Sequence, residues 1–475
     1  MSTQQTRDYE TVIREAGEWS LWQWRMMMAM MTPAMIASMA TLSWVFTTSN
    51  GGQISCDGDV VSDEGQHGSI LSDLGLVCDH QWIKSFLAPV FMLGMLFGGP
   101  VVGFLSDRYG RRPSLLLSLS IVTVSGTLLP LLPQSLTWHF IWRFLTGVGA
   151  GGILVTTFVY LVEWPPAGEV GVSRSWRLVA ALGLHLGWNC GQAVLVMSSS
   201  LIDDWRHVHW VTHTSGLAVI LIVLLMPESV RWMVHHHKLE DARKVIQNIA
   251  KVNGREVSEE ILASLSPPVH KDDNQSFTRT LKLRLVILCF LWFSANICYY
   301  GIHYSASQLH GNLQVNFCLL MIAEILANLF AHLVALPYFG RRWTLIVCLV
   351  LCSVVLMMNS LIPSSQTIIR IILTIIGKFS ATTNFNSIYF YTCELFPTNL
   401  RSSSIGLCST MGRLGAMVSV GCVQLTWISP HLPSTIMSVP AVLAAVLLLK
   451  IPQPETKNCA LPDTVNEDHD DIDHL

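Results

Sequence analysis

Apolar runs of roughly twenty residues recur along nearly the whole chain, at 26–46, 85–105, 115–133, 138–161, 178–198, 208–226, 285–303, 315–336, 344–363, 368–391, 403–424 and 430–451. A helix of about twenty residues crosses a hydrocarbon core of ~30 Å, so the pattern predicts twelve transmembrane helices. The fifth and sixth runs are the most polar, carrying His185, Asn189, His209 and His213. Six runs precede a polar stretch at 227–284 and six follow it. Within that stretch LEDARKVIQNIAKVNG and EVSEEILASL, with a Pro267-Pro268 break after them, have the period of short amphipathic helices lying on a membrane surface. The expected architecture is an all-α membrane protein with two pseudo-symmetric six-helix bundles. Its expected units are an N-terminal cytosolic segment 1–25, a first bundle 26–226 with an outward-facing loop 47–84, a linker 227–284, a second bundle 285–451 and an acidic tail 452–475.

Composition agrees with a membrane protein. Hydrophobic residues make up 51% of the 475 and charged residues 13%, where soluble domains carry about 25% charged. No small-residue cleavage site follows the first apolar run, so that run is expected to stay as a span. Lys and Arg collect in alternate loops: Arg108, Arg111 and Arg112; Arg174 and Arg177; the stretch from Arg231 to Arg284; Arg341 and Arg342; and Arg401. The positive-inside rule puts these loops, and with them both termini, in the cytosol. A net charge of −3 says nothing about nucleic acid, and none is expected as a partner.

Several chemistries drop out. Cys56 and Cys78 share the outward loop, an oxidising compartment, and form the candidate disulfide; the other cysteines lie in spans, at span edges or in the tail. The Asn274-Gln275-Ser276 sequon sits on the cytosolic side, where no glycan is added. His235, His236 and His237 are consecutive and read as a solvated turn, not a metal site. Neither a Walker-type phosphate loop nor a nucleophile and base pair can be assembled, so no cofactor, no metal and no enzymatic activity are expected.

One cluster is repeated. SDRYGRRPSL at 106–115 follows the second span, and YFGRRWTL at 338–345 follows the eighth, the second of the other half. An Arg early in the fourth span of each half (Arg143, Arg370) and an acid at its cytosolic end (Glu163, Glu394) recur as well. Duplicated six-helix halves with a site between them near mid-membrane are characteristic of secondary transporters. Asp107, Arg108, Arg111, Arg112, Glu163 and Glu228 in the first half are then the expected parts of a cytosolic gate, with Arg341, Arg342, Glu394, Arg401 and Glu455 in the second. Each such pair is worth only ~1 kcal/mol, so the belt can form and break.

These motifs, with LSDLGLVCDHQW at 71–82, RFLTGVGAGG at 143–152, PESVRWM at 227–233, YYG at 299–301, YTCELFPTNLR at 391–401 and PETKNCALPDTV at 454–465, resemble the major facilitator superfamily and, more narrowly, solute carrier family 22. VEWPP at 162–166, DWRHVHW at 204–210 and GLCSTMGRLGAMVSV at 406–420 look like its organic-anion members. The resemblance implies a plasma-membrane carrier of a small amphipathic organic anion, working by alternating access, with an intracellular dicarboxylate as counter-substrate. It implies Arg413 in the eleventh span as the anion's partner, because cation-preferring members carry an acid there. A guanidinium at a helix centre costs ~3 kcal/mol to insert and stays charged; a bound carboxylate or a resident acid such as Glu324 would neutralise it. Lys378 in the tenth span is read either as a second attraction for anions or as packing. Tyr299, Tyr300, Phe385 and Tyr389 match aromatic cavity positions of the family, as does Trp188.

The sequence also departs from the family. Asn328 stands where anion carriers have a lysine, Pro337 and Tyr338 replace the first half's Asp-Arg, and Val170 takes the place of an arginine after Glu163, which predicts a looser first-half gate. The outward loop is short and lacks a sequon. A cation or zwitterion carrier, and a membrane receptor that no longer transports, are the competing readings.

Overall fold

The computed structural model describes residues 20–48, 70–74, 81–131, 135–163, 172–259, 278–309, 311–363, 365–396, 398–429 and 431–450, with a few further positions including 12, 15–17, 76, 262, 265, 455 and 456. The candidate disulfide cysteines Cys56 and Cys78, the linker sequon and Val170 lie outside the described residues.

Among the described residues, twelve helices are long and apolar enough to cross a membrane. They are α1 (Leu21–Thr47), α2 (Gln81–Tyr109), α3 (Arg111–Leu128), α4 (Leu136–Val162), α5 (Val172–Leu201), α6 (Trp205–Leu224), α7 (Arg279–Tyr304), α8 (Leu313–Phe339), α9 (Arg341–Leu361), α10 (Thr367–Leu395), α11 (Thr398–Val423) and α12 (Leu432–Lys450). Each expected run is found, and most helices extend past it where polar residues cap the ends. Asp204, Thr278 and Asn312 side chains accept from the amides of Arg206, Leu281 and Val315 and start α6, α7 and α8.

The polar residues of the fifth and sixth runs survive inside apolar helices by bonding to their own backbone. The His185 ring pairs with the Ala181 carbonyl at 2.7 Å, Asn189 donates to the His185 carbonyl at 2.7 Å, and the His213 ring pairs with the His209 carbonyl at 3.0 Å. Helix α6 breaks into two pieces at Ser215. The last turns of α8, Ala331–Phe339, are π-wound around Pro337, whose missing N–H cannot continue the α pattern.

Small residues set which helices pair. A Cβ on Gly98 of α2 would press on the Val148 backbone of α4, and one on Gly147 of α4 would press on the Phe91 carbonyl. Gly187 and Gly191 of α5 sit equally close to Met31 and Met35 of α1, and Gly415 of α11 to Phe293 of α7. With lipid as solvent there is little hydrophobic drive between helices, so such close backbone approach supplies the packing energy. The same pairing recurs in both halves: α2 with α4 and α1 with α5 in the first, α8 with α10 and α7 with α11 in the second. The halves meet along α2 with α11 and α5 with α8, which leaves α1, α4, α7 and α10 around the middle.

Between α6 and α7, short helices at Val230–His235 and Leu239–Val252 lie outside the spans. The second buries Ala242, Ile246, Ile249 and Ala250 on one face. Beyond its end Asn253 donates to the Ala16 carbonyl at 2.7 Å and accepts from the Trp22 amide at 3.1 Å, tying the linker to the start of α1.

Candidate functional site

The repeated Gly-Arg-Arg corner has one geometry in both halves. Gly110 and Gly340 turn the chain with φ of 116° and 86°, a region L side chains avoid. The next two amides then begin a helix and point at one carboxylate. Glu228 accepts from the Arg111 amide at 3.0 Å and from the Arg112 amide at 3.2 Å; Glu455 accepts from Arg341 at 2.8 Å and Arg342 at 3.0 Å. An acid at a helix N-terminus satisfies orphan donors and opposes the helix dipole. Burial pushes the Glu228 carboxyl above its usual range, while the Ser229, Arg111 and Arg112 amides and the Arg111 charge pull the other way. The first arginine's side chain then reaches the fourth span of its half: Arg111 Nη2 lies 2.6 Å from Glu163, and Arg341 Nη2 lies 2.7 Å from Glu394. Arg111 also pairs with Asp107 at 2.5 Å, and Thr456 Oγ1 donates to Glu394 at 2.6 Å.

All these pairs close within one half. Each of these pairs braces its own bundle, because the corner's partners are the adjacent fourth span and the segment following the sixth. In the first half, Arg111 makes three hydrogen bonds to Glu163. Arg108 is exposed, over the Tyr109 ring. The Arg112 and Arg342 side chains donate to the Leu224 and Leu448 carbonyls. The side chain of Arg401 is outside the described residues.

In the membrane interior, Lys378 of α10 is fully buried and its Nζ lies 2.8 Å from Glu324 Oε2 of α8, 2.8 Å from His303 Nδ1 of α7, and 3.6 Å from the Tyr299 ring centroid. Glu324 also accepts from the Tyr299 hydroxyl at 2.8 Å and, across the interface between halves, from Gln192 of α5 at 3.3 Å. The Lys378 charge is thus matched by a carboxylate. Asn328, one turn after Glu324, accepts from Asn386 through its Oδ1 at 2.7 Å, so the eighth-span position that departs from the family is neutral.

Arg413 differs. It is buried in α11, and its Nη1 donates to the Tyr300 hydroxyl at 3.2 Å. Among the described residues no acid pairs with it, Glu324 being engaged elsewhere. Its partner Tyr300 belongs to a connected set of aromatic rings. Tyr299 and Tyr300 touch edge to face at 5.1 Å, Phe385 stacks on Tyr299 at 4.7 Å, and Tyr389 packs on Phe385 at 5.3 Å and on Trp292 at 4.3 Å. Phe158 of α4 faces Tyr389 from the other half at 6.1 Å, and Trp188 of α5 lies beside Tyr299. Sequence reasoning missed His303, Phe158, Gln192 and Trp292. His303 follows Tyr299 by four residues on one helix face, a spacing that could have drawn it in.

The halves also touch at the span ends remote from the two Gly-Arg-Arg corners. Tyr304 of α7 donates to the Thr41 carbonyl of α1 at 2.6 Å, and Phe46 meets Phe317 edge to face at 4.8 Å.

Residues 34–464 match the family model described as sugar (and other) transporter. The chain is 31% identical to solute carrier family 22 member 6-A of Xenopus laevis over 84% of this chain and 72% of that protein. It is 30% identical to human organic cation/carnitine transporter 2, over 87% and 74% of the two chains, and 31% identical to rat organic anion transporter 3, over 84% and 75%. Among solved structures, the partially occluded inward-open xylose transporter XylE of E. coli superposes with a TM-score of 0.70 at 14% identity, covering 93% of this chain and all of that one. The human organic anion transporter MFSD10 superposes at 0.61 and 14% identity, covering 90% and 99%.

Proposed function

Because this chain belongs to the sugar (and other) transporter family, and within it to solute carrier family 22, we propose that it carries small amphipathic organic anions across the plasma membrane by alternating access of two six-helix halves. Both termini are then cytosolic, and an intracellular dicarboxylate is the counter-substrate. The single observation behind this reading is the asymmetry of the interior cations. Lys378 has a carboxylate at 2.8 Å, whereas among the described residues Arg413 has only the Tyr300 hydroxyl. A buried guanidinium without an acid favours binding an anion, because the anion repays its desolvation. The flat walls of Tyr299, Tyr300, Phe385 and Tyr389, with Trp188 nearby, suit the apolar body of such a cargo.

The test is radiotracer uptake with matched panels of organic anions, cations and zwitterions, with and without dicarboxylate preloading, in wild type and Arg413→Ala. Losing a buried charged contact costs about 2–5 kcal/mol, so anion uptake is expected to fall about thirtyfold or more at unchanged surface abundance. Stimulation by preload marks exchange; indifference marks uniport. Undiminished anion uptake in Arg413→Ala would overturn the assignment. Carriage of a cation or zwitterion, the reading drawn from the carnitine-transporting relative, predicts flux that survives Arg413→Ala. Ligand binding without flux of any class would make the protein a receptor.

A further inference from the structure

Three fixed charges share the interior around Tyr299 and Tyr300: Arg413, Lys378 and Glu324. Their sum is one positive charge. Lys378 lies over the Tyr299 ring and Arg413 bonds to the hydroxyl of the adjacent Tyr300, so both cations border the same pair of rings. Glu324 is the element that can change. Its Oε2 faces Lys378 Nζ at 2.8 Å and His303 Nδ1 at 3.6 Å, and its Oε1 takes the Tyr299 and Gln192 donors. His303 Nδ1, 2.8 Å from the ammonium, acts as an acceptor, so the ring is neutral with its proton on Nε2. A proton arriving on His303 would set two cations against each other. A proton arriving on Glu324 meets no such repulsion, but it leaves Lys378 without its counter-charge.

We propose that Glu324 is a proton site that lets the carrier take dianions, and that charge balance fixes one net negative charge per transport step. This inference rests on the reading of Arg413 as the anion partner. A monoanion neutralises Arg413 and travels alone while Glu324 stays ionised. A dianion needs both cations, so its second carboxylate replaces Glu324 beside Lys378 and one proton from the same solution forms an O–H bond on Glu324. Dianion and proton cross together and are released together. Either cargo leaves the buried site electrically neutral, the only state a low-dielectric interior tolerates cheaply. The titratable groups facing Glu324 are Lys378 from α10 and Tyr299 and His303 from α7. From α5 comes the neutral Gln192, while His185 pairs with His332 two turns further along α8 at 5.5 Å.

The test uses benzoate and isophthalate, one aromatic ring bearing one or two carboxylates, in proteoliposomes corrected for protein-free vesicles. The interior is buffered one pH unit more alkaline than a neutral exterior, and the membrane potential is clamped at zero. Coupling to one proton accumulates isophthalate about tenfold, the ratio of proton activities, and leaves benzoate at equilibrium. In Glu324→Gln, isophthalate flux loses its dependence on the gradient and accumulation falls to unity. The wild-type measurement stands alone if that variant does not fold. Isophthalate carried without accumulation, or benzoate carried and isophthalate refused, overturns the proton coupling and leaves the anion reading intact. No carrier-dependent flux of either compound, with anions failing across the uptake panel, removes both.

Discussion

At the scale of single residues, the interior contrasts two cations in different circumstances. Lys378 and Glu324 form a buried pair, and breaking such a pair by removing one partner costs about 3–5 kcal/mol, whereas replacing both with neutral groups of similar volume is often close to neutral. Lys378→Met is therefore expected to lower the thermal midpoint of the solubilised protein markedly, and Lys378→Met combined with Glu324→Gln to recover most of it; equal losses in the single and double variants would mean the pair is not the structural unit. Arg413→Ala removes no resident ion pair, so its fold stability is expected to change little while anion uptake collapses. The sequence made the charge of Arg413 and Lys378 plain. It did not reveal which of them Glu324 neutralises, because all three lie on different helices.

At the scale of elements, the Gly-Arg-Arg corner explains its own repetition. The glycine supplies a backbone conformation other residues avoid, the next two amides open a helix onto one carboxylate, and the first arginine ties that helix to the fourth span of its half. A Cβ on Gly340 would come within 2.7 Å of the Glu455 carboxyl carbon, and Gly110 sits as tightly against Glu228. Gly110→Ala and Gly340→Ala are each expected to cost ~1–2 kcal/mol from the left-handed backbone alone, with further loss from displacing the cap, read as lower thermal midpoints and lower surface abundance. Glu228→Ala and Glu455→Ala should each cost ~1–2 kcal/mol through the lost cap. If the alanine variants at the two glycines match wild type, the corner is not under the constraint described. The periodicity of apolar residues showed every span, yet the break in α6 and the π-wound end of α8 depended on local backbone bonding that hydropathy does not register.

At the scale of the whole molecule, the two halves touch at the span ends remote from the Gly-Arg-Arg corners and along α2 with α11 and α5 with α8. The hydrogen bond from Tyr304 to the Thr41 carbonyl is worth ~1 kcal/mol, enough to move a two-state equilibrium about fivefold. Tyr304→Phe is expected to speed hydrogen exchange at the C-terminal ends of α1 and α7 and leave the Gly-Arg-Arg corners unchanged; equal exchange would mean this contact does not hold those ends together.

The sequence by itself determined the membrane class, the twelve spans, the twofold repetition and the chemical identity of the interior cations, because hydropathy runs and duplicated motifs are written along one chain and need no partner to be read. Only the tertiary structure decided which acid meets which base: Glu324 with Lys378 rather than Arg413, and Arg111 and Arg341 with acids of their own halves rather than across the interface. Electrostatic pairing falls off within a few ångströms, and which side chains come that close is settled by helix packing, where glycines and small residues fix the approach of one span to another.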